Sequence, residues 1–324
     1  MDVRPILVTG ASGFIGQRLV RALEADGHAV QRMSRSALSG PGVVHADLLD
    51  RAALQRACEN VGVVFHCAGH AHAGDDGRDA RLHRDVNFVG TRNLADAAGR
   101  AGVGCFVFMS SVKAMGLPGA ACVDETWPVP PDTEYGRAKR DAEDAVLESG
   151  QRFGMRTTNL RLAMVYGRGG RGNLDRMARA ILQGWFPPLP ETGAKRSLVH
   201  VDDVVAVALK VMDDLRATGR TYIIADWQAY SGHELYAALR FALGFGDSRW
   251  ECPASWLRAA GALGDVLQKI VSRQLPMNRR AVERLIDAEC YSPALIANEL
   301  GWHARVSLRD GLREAFADLG RGVR

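Results

Sequence analysis

"PILVTGASGFIGQRLVRALEADG", Pro5 to Gly27, runs an apolar stretch into a glycine turn and then into a helical pattern. The run "ILVT" has no polar alternation, as expected of a strand buried on both faces. "GFIGQRLVRALEADG" reads as a helix that ends near Gly27. Between strand and helix, Gly10, Gly13 and Gly16 follow a GxxGxxG spacing. Gly10 suits a positive φ in the tight turn, Gly13 allows a pyrophosphate to approach the backbone, and Gly16 allows close helix packing. The free N–H groups of the helix N-terminus then face the phosphates. Strand, glycine turn and helix together predict a dinucleotide site, with Gly10, Ser12, Gly13, Phe14, Ile15 and Gly16 as its first contacts.

Further along, short apolar runs keep alternating with helical patterns. "AVQRMSR", "GVVHADL", "VGVVFHCAG", "CFVFMSS" and "RTTNLRLAMVYG" read as strands. "RAALQRACENV", "VNFVGTRNLADAAGRAG" and "YGRAKRDAEDAVLES" read as helices. The expected fold class is α/β, a doubly wound parallel sheet of the Rossmann type, with a smaller, mostly helical C-terminal substrate domain. Residues 1–166 would form the NAD(P)-binding domain, with 196–226 returning to it as a helix and strand. Residues 167–195 and 227–324 would form the substrate-binding cap.

The 324 residues carry a formal net charge of +4, with 47% hydrophobic and 24% charged residues. The charges are interspersed, so neither a nucleic-acid patch nor a membrane patch is expected. No apolar run reaches spanning length. "PASWLRAAGALGDVLQKIVS" is the greasiest long segment, and Arg258, Asp265 and Lys269 interrupt it as in an amphipathic helix. Six well-separated cysteines without CxxC spacing are expected as free thiols in a reducing cytoplasm, not as disulfides or zinc ligands. His66, His70 and His72 in "HCAGHAHAG" lack a carboxylate at ligand spacing, so no metal site is expected.

At the end of the second strand, "RMSRS" places Ser34 where NAD sites carry an acidic residue, and Arg35 follows. A hydroxyl and a guanidinium suit a 2′-phosphate, which favours NADP over NAD. Asp47 and Leu48, after the third strand, would flank the adenine.

"EYGRAKRDAED", Glu134 to Asp144, sets Tyr135 and Lys139 one helical turn apart. A phenol titrates too high for acid–base work near neutrality, and a neighbouring ammonium would lower it. Ser110 and Ser111 end the strand "CFVFMSS", at the edge where open α/β sheets place ligands. With the glycine turn, the serine and the YxxxK pair on the page, the chain resembles the extended short-chain dehydrogenase/reductase family. Within it, the nearest group is the nucleotide-sugar epimerases, dehydratases and 4-ketoreductases.

The resemblance implies roles residue by residue. Tyr135 is the catalytic acid/base, Lys139 holds the nicotinamide ribose and depresses the phenol, and Ser111 orients the reacting sugar oxygen. Cys67, Ala68 and Gly69 form the loop beside the cofactor, and Asn87 supports it from the next helix. "LRLAMVYGRGGRGN" matches a substrate stretch in which Leu162 and Arg168 replace prolines and Asn173 lies near the sugar diphosphate. In "KRSLVHVDD", Arg196 would grip the diphosphate; the alternative is a surface ion pair with Asp202 or Asp203. His200 is expected to pack at the start of the following helix. Trp185 to Pro190 would line the base pocket or form a rigid loop, and one of Arg279, Arg280 and Arg284 would reach the second phosphate.

Family dehydratases need an Asp–Glu pair after the catalytic hydroxyl, and Val112 and Lys113 stand there instead. The expected activity is a 4-ketoreductase on a UDP-linked N-acetyl hexose. The alternative is a UDP-sugar 4-epimerase with tightly bound NAD. A sterol- or flavonol-type alcohol dehydrogenase and a non-catalytic NADP-binding protein stand behind both. The free thiols and the lack of a spanning run lead to the expectation of a cytoplasmic protein, and the resemblance implies a homodimer.

Overall fold

The computed structural model describes residues 4–35, 39–70, 77–170, 172–246, 248, 251–271 and 288–319. Its centre is a seven-stranded, all-parallel sheet built from β1 (Ile6–Thr9), β2 (Val30–Ser34), β3 (Val43–His45), β4 (Val63–His66), β5 (Cys105–Ser111), β7 (Arg156–Leu162) and β11 (Arg220–Ile224). The strand order is β11-β7-β5-β4-β1-β2-β3. Strand order therefore reverses between β1 and β4, opening the crevice where such sheets bind ligands.

Side-chain alternation explains the two cores. Ile6 and Val8 of β1, with Cys105, Val107 and Met109 of β5, join Leu19 and Leu23 of α1 (Phe14–Ala25) on one face. Leu7, Phe106 and Phe108 point the other way, to Leu54 of α2 (Arg51–Ala57) and Leu94 of the fourth helix. The apolar runs of β1 and β5 thus reflect strands covered on both faces.

The helix after β4 begins as α3 (Gly77–Leu82), becomes a π-helix over His83–Gly90 and continues as α4 (Thr91–Arg100). The long α5 (Glu134–Phe153) follows the two-residue β6 (Cys122–Val123) and ends at Gly154, whose φ is +66°. Then come β8 (Met164–Tyr166), α6 (Asn173–Leu182), β9 (Lys195–Arg196), β10 (Leu198–His200) and α7 (Val201–Asp213). After α7, β11 joins the sheet at its edge, paired with β7.

The C-terminal part is mainly helical, with β12 (Tyr230–Ser231), α8 (Gly232–Ala242), α9 (Ala254–Val271), β13 (Cys290–Tyr291) and helices Ala294–Leu300 and Leu308–Phe316. A third core of Leu174, Met177, Leu235, Tyr236, Leu239, Leu312 and Phe316 joins α6 and α8 to the last helix. Among the described residues, no helix is long and apolar enough to cross a membrane.

The cysteines correct one expectation. β6 and β13 run parallel with Cys122 opposite Cys290, and the two form a disulfide with Cα atoms 4.4 Å apart. Their separation of 168 positions hides the pairing from any local spacing rule. Cys58, Cys67, Cys105 and Cys252 are free, as expected.

Candidate active site

Parallel strands bring their C-terminal ends to one edge, and the register aligns Thr9 with His66 and Ser111 with Leu162. A cavity of about 250 Å³ opens there, lined in part by Ile15, Cys67, Gly69, His70, Ser111, Tyr135 and Lys139. Residues predicted from four separate stretches therefore meet in one place.

The glycine turn behaves as its chemistry requires. Gly10 has φ +65°, and a Cβ there would stand 2.7 Å from the Ala68 backbone nitrogen. A Cβ on Gly16 would sit 2.2 Å from the Gly10 carbonyl oxygen. Gly13 caps α1 without a side-chain hydrogen bond, leaving backbone N–H donors at this helix end. Ile15 reaches the cavity, Phe14 lies beside the Gly167–Gly170 turn, and Ser12 is exposed. At the far end of the crevice, Ser34 is half-buried at the end of β2 and Arg35 is exposed. Asp47 accepts the Leu49 N–H at 2.8 Å, while Leu48 is buried next to Gly90.

Tyr135 sits in the first turn of α5. Thr133 caps this helix by accepting the Gly136 N–H at 3.0 Å. A Cβ on Gly136 would lie 2.3 Å from the Lys113 carbonyl oxygen, so glycine lets the turn seat against the loop that follows Ser111. Burial raises the Tyr135 phenol above its usual range, and a hydrogen bond with Ser111 opposes the rise.

That direction corrects the expectation that Lys139 depresses the phenol within the protein itself. The Lys139 ammonium instead donates to the Met109 carbonyl at 2.9 Å and lies 4.6 Å from the centre of the Phe108 ring. Burial lowers its pKa to about 8, with Glu143 and Cys67 pulling the other way. Burial pushes the Cys67 thiol up to about 12.

Two supporting networks escaped the sequence reading. Ser110 donates to Glu143, and Arg161 grips the same carboxylate through Nε at 3.0 Å and Nη2 at 2.7 Å. The second runs through fully buried His66, whose ring bonds Thr9 Oγ1 at 2.7 Å and Thr91 Oγ1 at 2.9 Å. Burial lowers the His66 pKa to about 3, so this imidazole is a neutral cross-brace between β1, β4 and α4. Glu143, two turns after Tyr135, was the only signal available in sequence.

Asn87 has a clear structural task. Its Oδ1 accepts the His70 N–H at 2.7 Å, and its Nδ2 donates to the His70 carbonyl at 2.9 Å. The loop after β4 is thereby clamped from the π-helix, a helical form frequent at functional sites.

On the outer side, Asn173 begins α6 and lines a small second cavity that shares Val165 with the first. Arg196 is half-buried on β9, bridged through its backbone to Glu289. The two aspartates considered as its partners are engaged elsewhere. Asp202 pairs with Arg18, and Asp203 accepts the N–H groups of Arg305 and Val306. His200 does cap α7, as expected. Lys113, in the position of a dehydratase carboxylate, pairs with Glu289 at 2.8 Å. Leu162 lines the main cavity and Arg168 pairs with Asp318. Trp185 is largely exposed while Leu189 is buried. Arg279, Arg280, Arg284 and His72 lie outside the described residues.

Comparison with known proteins now adds to this geometry. A model of the NAD dependent epimerase/dehydratase family matches residues 6–225. A UDP-glucose 4-epimerase of Vibrio cholerae is 31% identical over 262 residues, covering 77% of this chain and 78% of that protein. Sterol demethylase protein B of Methylococcus capsulatus is 32% identical over 336 residues, covering 96% of each. The crystal structure of a Thermotoga maritima UDP-glucose 4-epimerase with UDP-glucose superposes with a TM-score of 0.77 over 99% of this chain and 100% of that one. Its 22% identity bears on the fold alone. The chain belongs to the NAD dependent epimerase/dehydratase family, within the extended short-chain dehydrogenases/reductases.

Proposed function

We propose that the protein is a nucleotide-sugar oxidoreductase, a 4-ketoreductase acting on a UDP-linked N-acetyl hexose with NADPH. The observation that carries the reading is the convergence of Tyr135, Ser111 and Lys139 on the cavity that also receives Ile15 of the glycine-turn helix. The α1 N-terminus would hold the cofactor pyrophosphate, Lys139 its nicotinamide ribose, and Ser34 with Arg35 the 2′-phosphate. The bound nicotinamide supplies the hydride. Tyr135 supplies a proton to the carbonyl oxygen, which Ser111 orients. An oxidised cofactor beside the phenol adds positive charge, offsetting the rise that burial imposes. Asn173 and Arg196 would hold the diphosphate, and the protein would work as a homodimer in the cytoplasm.

The second reading, a UDP-sugar 4-epimerase with retained NAD, draws on the likeness to the Vibrio cholerae enzyme. The likeness to a sterol-processing protein supports a third, an alcohol dehydrogenase of the sterol type. Native mass spectrometry separates the first two. An empty site that fills with NADPH supports reduction, and stoichiometric NAD carried through purification supports epimerisation. Replacing Tyr135 by Phe should reduce turnover at least about 100-fold while sparing cofactor binding. Full activity in that variant would remove the mechanism.

A further inference from the structure

His70 lies on the catalytic cavity with Tyr135, Ser111 and Lys139, yet the hydride-transfer scheme gives it no task. Its position is built with some care. The Asn87 amide clamps its backbone on both sides, and its Nε2 lies 3.2 Å from Asp79 Oδ1. The His83 ring tilts against it at 5.0 Å and meets Tyr135 edge-on at 5.3 Å. Among the described residues, the charged and titratable groups around this string include Cys67, Asp79, Glu134 and Lys139. Tyr135 and Lys139 are carried on α5, whereas Asp79 and His83 come from α3 and the π-helix. An imidazole oriented by a carboxylate is the usual arrangement for a group that exchanges protons. The His70 side chain is 23% exposed, so it borders both the cavity and solvent.

Ketone reduction consumes a proton on every turnover. The carbonyl carbon receives hydride from the cofactor, the carbonyl oxygen takes the Tyr135 proton, and a phenolate remains. Burial disfavours that phenolate. An epimerase has no such debt, because the proton taken in oxidation is handed back in reduction.

We propose that His70, oriented by Asp79, returns a proton to Tyr135 after each reduction. The imidazolium gives its proton to the phenolate through water in the shared cavity, and the neutral imidazole recovers one from solvent. No other atom changes bonding. His70 thus acts through Tyr135, and the inference rests on the reductase reading.

The test is pre-steady-state reduction of a UDP-linked 4-keto N-acetyl hexose by NADPH, using the full-length protein and its His70→Phe variant. The expected result is a first turnover at the wild-type rate, followed by later turnovers slowed about 100-fold. Added free imidazole should restore those later turnovers. Asp79→Asn, which keeps the ring and changes only its partner, should show the same burst in milder form and covers failure of the first variant to fold. Equal slowing of first and later turnovers would show a merely structural residue and overturn the proposal, as would an unchanged steady state. Tyr135→Phe must abolish both phases. If it does not, or if the wild-type protein equilibrates 4-epimers of a UDP-N-acetyl hexose without net NADPH use, the functional reading itself fails and the inference falls with it.

Discussion

Lys139 and Glu143 stand one turn apart on α5, both in the interior of the protein. With a pKa brought down to about 8, the Lys139 ammonium is present below that pH and lost above it. The affinity of the unliganded protein for NADPH should therefore fall above about pH 8, as followed by titrating cofactor fluorescence across the alkaline range. Lys139→Arg keeps its charge and should flatten that limb. Glu143→Gln removes the carboxylate that supports the ammonium, so the limb should move to lower pH. The same change strands the Arg161 guanidinium, and denaturant melts should register a loss of about 3–5 kcal/mol. For the fold the Lys139 shift works in the opposite sense. Between about pH 8 and the ordinary lysine value near 10.4, the unfolded chain binds more protons, so this group's contribution to stability grows with pH. Tyr135, Lys139 and Ser111 were legible in sequence because each sits in a short motif of fixed spacing. The Glu143–Arg161 pair joins α5 to β7, and only the packed sheet brings its halves together.

At the scale of elements, the glycine turn was the most readable feature, because its demands are local. Gly10 needs its positive φ and Gly16 lies against the Gly10 carbonyl. Gly16→Ala should cost about 1–3 kcal/mol of stability by overpacking, together with cofactor affinity. A Cβ at Gly13 meets only the Gly10 carbonyl oxygen, at 3.1 Å. Gly13→Ala should accordingly leave the melting temperature nearly unchanged while weakening NADPH binding. Paired thermal melts and titrations check the contrast; equal stability losses would contradict it. The π-helix over His83–Gly90 was not legible, since "HRDVNFVG" carries ordinary helical signals. Its effect on Asn87, which clamps the loop after β4, appears only once that loop is folded against it.

For the whole molecule, strands alternating with helices and runs of apolar residues were enough to indicate a parallel doubly wound sheet, while the edge position of β11 is visible only in the folded strand order. The β6–β13 pairing was not legible, because two-residue strands carry no periodic signal. Its bond closes a loop of 168 positions, for which chain entropy sets an upper value of about 5 kcal/mol. Replacing Cys122 and Cys290 by Ser should lower stability by about 2–5 kcal/mol, measured in denaturant without reductant. The strand carrying Cys290 also carries Tyr291, whose carbonyl accepts from Ser197, and it is preceded by Glu289, which pairs with Lys113. Loss of the cross-link should thus loosen the outer wall near Arg196 before it disturbs Tyr135. The cross-link also records provenance. Polypeptide matured amid abundant small thiols would weigh two hydrogens more and offer two further sulfurs to an alkylating reagent, so an intact-mass measurement reveals the chemical climate in which each batch was assembled.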